Sequence, residues 1–145
     1  MRRFSGRGFT LPELLTVVVV LGILAAVAIP SWRQHVLRTR RAAAQELLVK
    51  LQVAQEDFFG RHARYATMDE ASPAPPAGLG FPTVGDTNYR VAITTAADGL
   101  AYEATARATD AQSDDTHCAT FTINHLGMRT AADAAGVDRS MDCWR

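Results

Sequence analysis

The sequence predicts an α+β protein: one long N-terminal helix whose second half packs against a small antiparallel sheet of about four strands. Three observations predict it. An apolar run from Phe9 to Ile29 has the length of a bilayer crossing. Beyond it, apolar residues recur at three- and four-residue steps. After a connection rich in proline and glycine, the segments around Tyr89, Tyr102 and Phe121 alternate with period two. With 145 residues in all, one domain is expected, and a core this small benefits from a covalent staple.

The first element is the stretch Gly8-Phe9-Thr10-Leu11-Pro12-Glu13-Leu14-Leu15, which opens onto the apolar residues 16–29. As a helix rising about 1.5 Å per residue, Phe9 to Ile29 spans roughly 30 Å, the thickness of a bilayer core. Arg2, Arg3 and Arg7 precede it and none of the acids do. By the positive-inside rule this keeps the N-terminus cytoplasmic and sends the C-terminal bulk across. A secretory signal cut near Ala25-Ala26-Val27-Ala28 is the competing reading. Helical periodicity that continues past Ile29 argues against it.

Glu13 interrupts the run, and an acid within a membrane segment costs a few kcal/mol on insertion scales. It therefore needs a reason. One is that it marks the helix start at headgroup level, where the dipole favours an acid. The other is that it pairs with a positive group when the chain packs against its own kind.

These residues, Gly8-Phe9-Thr10-Leu11-Pro12-Glu13 behind a short basic leader, resemble the processing site of the type IV pilins and their relatives. The resemblance implies that a prepilin peptidase cuts between Gly8 and Phe9 and methylates the new N-terminal Phe9. Glu13 then neutralises the terminal amine of a neighbouring subunit. It divides the chain into a leader, 1–8, a transmembrane and assembly half-helix, 9–30, and an external head, 31–145. The implied partners are other pilin subunits, the peptidase and an inner-membrane assembly platform. The implied location is the bacterial inner membrane, then an extracellular fibre. Pro12 is compatible with a first helical turn. Gly22 and Pro30 weaken a helix by about 1 and 3 kcal/mol, and in the family the segment between such residues loses helicity in the fibre.

Past Pro30 the residues Leu37, Ala44, Leu47, Leu51, Ala54 and Phe58 form one stripe, with Gln34, Arg38, Arg41, Gln45, Gln52 and Glu56 on other faces. One helix, bent near Pro30, is expected from Phe9 to Phe59 or Arg61. Arg33, Arg38, Arg40 and Arg41 read as a solvated face or a headgroup contact. The stretch 65–88 contains Ser72-Pro73-Ala74-Pro75-Pro76-Ala77-Gly78 and reads as a loop. The resemblance makes it a variable surface that meets neighbours.

The sheet is expected over 89–130. Tyr89, Val91 and Ile93 face inward, as do Tyr102, Ala104 and Ala106, then Phe121 and Ile123. Asp98-Gly99 supplies the first turn, and His125-Leu126-Gly127 the second, leading to a short strand at Met128-Arg129-Thr130. The tail, 131–145, has no period. Cys118 and Cys143 are the two cysteines, both on the translocated side, where an oxidising compartment favours a disulfide. A metal reading through His117, Cys118, His125 and Cys143 matches no usual zinc spacing. The resemblance points the same way: pilins carry a disulfide-bounded C-terminal loop, and Cys118-Ala119-Thr120-Phe121 with Asp142-Cys143-Trp144 is similar to the PilE-like group.

No catalytic constellation emerges. His35, His62, His117 and His125 are scattered, and no nucleophile has a base at motif spacing. The chain reads as the substrate of an enzyme, with no cofactor. Its formal charge is zero, basic in the first half and acidic in the second. The leading function is a structural subunit, minor rather than major, of a pilus used for motility, adhesion or DNA uptake. A DNA-binding competence pilin is one alternative, since counting along the hairpin sets Arg90 and Arg107 opposite one another on its outer face, where an anion would relieve their repulsion. A type II secretion pseudopilin is another, although by resemblance major pseudopilins carry a calcium site in place of a disulfide.

Overall fold

A computed structural model describes residues 10–81 and 88–144. The leader arginines, the Gly8–Phe9 junction and Asp86 lie outside the described residues. Helix α1 runs unbroken from Leu11 to His62, 52 residues, and continues through position 30. It is, among the described residues, the one helix long and apolar enough to cross a membrane. The chain divides after Val36 into a stalk and a head that begins at Leu37.

In the head, four strands follow: β1 (Tyr89–Thr95), β2 (Tyr102–Ala108), β3 (Thr120–Asn124) and β4 (Arg129–Ala132). They form one antiparallel sheet in the order β1-β2-β3-β4. Sequence neighbours are spatial neighbours: short loops join β1 to β2 (96–101) and β3 to β4 (125–128), where Gly99 and Gly127 take left-handed φ angles of 71° and 73°, and a longer connection with a 3-10 turn, Asp110–Gln112, joins β2 to β3. The alternation buries Tyr89, Ile93, Tyr102, Ala104, Ala106, Phe121 and Ile123 on one face. Together with Ala44, Leu48, Leu51 and Phe58 of α1 they make a single core.

The helical stripe differs from the expected one. Leu48 and Gln55 are wholly buried, whereas Leu47, Ala54 and Leu37 are only half-buried. Leu47 and Leu48 both satisfy the periodicity, and packing against the sheet selects the second. Gln55 is admitted because both ends of its amide are used: its Oε1 accepts the Ala66 N–H at 2.8 Å and its Nε2 donates to the Ala66 carbonyl at 3.0 Å.

Three local expectations also change. The fourth strand extends to Ala132, held by the partners Thr120↔Ala132 and Phe121↔Ala131. The loop after α1 contains a 3-10 turn, Met68–Glu70, closed by a capping box in which Thr67 and Glu70 bond each other. The tail is ordered around an Ala132↔Asp138 bridge and a one-turn helix α2, Ser140–Cys143.

Candidate functional site

The stalk's chemistry is simple. From Leu11 to Ile29 every large apolar side chain is exposed on all sides of α1, Ile23 and Leu24 by 64% and 61%. Water is a poor solvent for such a surface, so lipid or other apolar helices must cover it. Glu13 lies in the first turn. Its Oε2 accepts the Thr10 backbone N–H at 3.4 Å, and the Thr10 carbonyl accepts the Glu13 and Leu14 N–H groups at 3.1 Å each. This is the arrangement of a capping residue and an acid at the third helical position. In the isolated chain Glu13 caps its own helix. At Gly22 an added Cβ would meet nothing within 4 Å, so this glycine is not demanded by packing within the chain.

In the head, the Sγ atoms of Cys118 and Cys143 form a disulfide with Cα atoms 5.9 Å apart, closing a separation of 25 residues. His117 brings its ring close to both sulfurs, but disulfide sulfurs are not thiolate ligands. His125 stands elsewhere, its ring 6.3 Å from that of Tyr65. The structure therefore gathers one of the two histidines that the metal reading invoked.

Around the disulfide lies a buried polar network that sequence reasoning missed. Asp115 is 2% exposed. Arg41 reaches it with two hydrogen bonds, Nη2 donating to Oδ1 at 2.6 Å and Nε to Oδ2. These bonds raise the pKa of the Arg41 guanidinium above its usual value. Gln112 Nε2 donates to Asp115 Oδ2 and to the Tyr89 hydroxyl, each at 3.0 Å, and the Cys118 N–H donates to Asp115 Oδ1 at 3.2 Å. Burial pushes the Tyr89 phenol up to about 12. Gln45 Nε2 donates to the Cys143 carbonyl. Arg41, expected on a solvated face, thus fixes the approach to the disulfide. The one sequence signal for this was an acid three residues before Cys118, a spacing at which a carboxylate caps a backbone N–H.

On the outer face of the sheet, Arg90 and Arg107 are direct partners across β1 and β2. Both are exposed, with no acid in ion-pair contact among the described residues. Their neighbours on this face are small or hydroxylic: Ala92, Thr105, Thr122 and Thr130 occupy the next row. Two arginines thus stand side by side on this face.

Comparison with known proteins follows the same lines. Residues 30–122 match the family described as "Type IV minor pilin ComP, DNA uptake sequence receptor", and residues 3–29 match the "Prokaryotic N-terminal methylation motif". The chain is similar to the type IV major pilin protein PilA of Myxococcus xanthus, 42% identical over 73 residues, which cover 50% of this chain and 33% of that one. It is 32% identical over 92 residues to the type II secretion system core protein G of Klebsiella michiganensis, covering 59% of this chain and 65% of the relative. Against a type IV major pilin protein PilE1 of Neisseria gonorrhoeae the identity is 34% over 71 residues, 49% of this chain and 33% of the other. The chain thus spans less than two thirds of each of these relatives. A solved type IV pilin from Shewanella oneidensis shares the fold, with a TM-score of 0.52 and 24% identity over 75% of this chain and 98% of that one.

Proposed function

The chain belongs to the type IV pilin family, and from that premise we propose that it serves as a minor subunit of a type IV pilus, a structural part and not an enzyme. The observation that carries this is the stalk: an apolar helix surface exposed all round, with one acid, Glu13, in its first turn. Before assembly lipid covers that surface, with the N-terminus cytoplasmic and the head outside. In the fibre, sister helices replace the lipid.

Cleavage between Gly8 and Phe9 by a prepilin peptidase, with methylation of Phe9, removes Arg2, Arg3 and Arg7 and creates a new amine. Glu13, which caps its own helix in the isolated chain, then has a stronger partner in the amine of a neighbouring subunit, because opposite charges in lipid attract with little screening. An inner-membrane platform feeds subunits into the fibre. The stretch between Gly22 and Pro30 yields helicity as the subunit packs. The disulfide in the head supports the pilus over the secretion pseudopilus, where the resemblance puts calcium.

Replacing Glu13 by Ala and by Gln tests the pairing. Both variants should remain in the membrane at normal levels and be absent from sheared fibres. Normal incorporation of either would refute it.

A second reading, reception of DNA, is favoured by the Arg90–Arg107 pair. Two like charges held opposite one another gain most from an anion between them, and phosphodiesters supply it. Two phosphate contacts give a slope of about −1.8 in log affinity against log salt. Titrating the full chain in detergent with duplex DNA at several salt concentrations measures that slope. No binding at low salt, or binding unchanged when both arginines become Thr, would end this reading.

A further inference from the structure

Each half of the disulfide is preceded on the chain by a further metal-ligating residue type, His117 before Cys118 and Asp142 before Cys143. The imidazole and the two sulfurs bring their donor atoms within 4.8 Å of one another. Asp142 adjoins this trio through the ring, its Oδ2 standing 3.7 Å from His117 Nε2. Both cysteines are buried, whereas the side chains of His117 and Asp142 are 49% and 54% exposed and line an open groove of about 540 Å³ between α1 and the C-terminal segment. A small ion can reach the cluster from that side.

Neither cysteine depends on the sulfur bond alone for its place. The Cys118 N–H donates to Asp115, which Arg41 of α1 holds, and the N–H of Ala119 donates to the Ala132 carbonyl at 3.0 Å. Across the cluster the Cys143 carbonyl accepts from Gln45 Nε2, its N–H donates to the Arg139 carbonyl at 2.9 Å, and the Ser140 hydroxyl accepts the Ala131 N–H at 2.9 Å. A newly made chain carries both sulfurs as thiols, because the compartment of synthesis is reducing. Until they are oxidised, these bonds hold two thiols side by side next to an imidazole.

We propose that the reduced head binds one zinc-like divalent cation through the Cys118 and Cys143 thiolates and the His117 imidazole, with Asp142 orienting that ring. Two sulfurs and a nitrogen suit zinc, whereas calcium and magnesium take oxygen ligands. The two thiolates cancel the charge of the cation, so the buried sulfurs are left without a net charge. The remaining tetrahedral position, on the groove side, is left to water. A carboxylate behind a ligating imidazole fixes its orientation and strengthens it as a donor. Binding releases one proton from each thiol. It joins the start of β3 to α2, the connection that the disulfide makes afterwards. Oxidation ends the binding: two electrons pass from the two sulfurs to a disulfide-bonded oxidant such as oxidised glutathione, which takes up two protons and leaves as two thiols. The cation then departs, because the sulfurs are no longer thiolates.

The test uses the full chain in detergent, reduced by a phosphine that takes the oxygen of a water while each sulfur gains a hydrogen, and then freed of phosphine without air. Cobalt(II) is the probe: it occupies zinc sites, and its thiolate charge-transfer and tetrahedral visible bands report the ligands. One equivalent per chain should give both signals, zinc should displace it by binding such a site more tightly, and the unreduced chain should give neither. His117→Ala and Asp142→Ala, both at exposed side chains, should each weaken binding at least about tenfold, the loss that even residues outside the ligand set incur. Oxidised glutathione added to the zinc-loaded chain should release one zinc per disulfide formed, read with a chromogenic chelator. Absence of a thiolate signal in the reduced chain, unchanged affinity in either variant, or one cation shared by two chains overturns the site. Zinc retained after the disulfide has formed does so as well.

Discussion

Arg90 and Arg107 face one another directly across β1 and β2, two like charges whose next row on the same face is alanine and threonine. Like charges directly opposite in a sheet destabilise by an amount comparable to the 0.2–1 kcal/mol that favourable pairs contribute, here taken as roughly 0.5 kcal/mol. Arg107→Thr should therefore raise the melting temperature slightly at low salt, and the gain should fade as salt screens the pair. A fall in stability at low salt would show that the arginine contributes packing that outweighs its charge.

The amide of Gln55 grips both backbone groups of Ala66 in a fully buried position. Gln55→Ala leaves the buried Ala66 N–H unpaired, at about 1–3 kcal/mol, while the Ala66 carbonyl keeps the Thr95 hydroxyl that donates to it at 3.1 Å. Chemical denaturation should show a loss of roughly 1–3 kcal/mol, with Gln55→Leu no better because the shape is kept and the bond to the Ala66 N–H is not. A loss below about 1 kcal/mol for either would mean that water or a rearranged loop replaces the glutamine.

Reading the chain alone shows why this pair escaped prediction. β1, β2 and β3 were legible because each is buried on one face, so period two appears directly as Tyr89-Val91-Ile93 or Tyr102-Ala104-Ala106. The long helix was legible to within a residue or two at its C-terminal end. Its inward face was not. Leu47 and Leu48 are equally apolar, and Gln55 is polar, so only the position of Ala66, 11 residues away, decides that the glutamine turns in. Arg41 and Asp115 are 74 residues apart, and no local pattern links them. The fourth strand ran on to Ala132 because pairing with β3 outweighs the weak strand preference of alanine. The Asp98-Gly99 turn was plain, since Gly99 needs φ of 71° and an added Cβ would come within 2.9 Å of the Arg64 Cβ.

Glu70 is tied to Arg64 by two hydrogen bonds, at 2.6 and 2.8 Å, and also accepts the Thr67 N–H at 2.9 Å. These bonds, those from Arg64 first, lower its pKa from 4.5 to about 2. A carboxylate whose pKa is depressed on folding stabilises the fold above the unfolded value and loses that contribution as the pH falls through the folded value. The head should lose this stability between about pH 4.5 and pH 2. Glu70→Gln should flatten the pH dependence of unfolding in that window. An unchanged profile would assign acid sensitivity to other groups.

The disulfide between Cys118 and Cys143 closes 25 residues, for which the chain-entropy account gives about 3 kcal/mol. Replacing both cysteines by Ser should destabilise the head by roughly that amount. It should free α2 and the tail before the sheet, because β1, β2 and β3 keep their own ladder. Hydrogen exchange resolves the order: simultaneous opening of β2 and the tail would contradict it.

The central claim is that the chain enters a fibre as a processed subunit whose mature end is made on the cytoplasmic side of the membrane. The direct measurement is the intact mass and N-terminal sequence of this chain recovered from purified surface fibres. The account predicts a chain beginning at Phe9, methylated on its amine, with the Cys118–Cys143 bond in place. A chain beginning at Met1, or one beginning beyond Ala28 and found free of fibres, would contradict it.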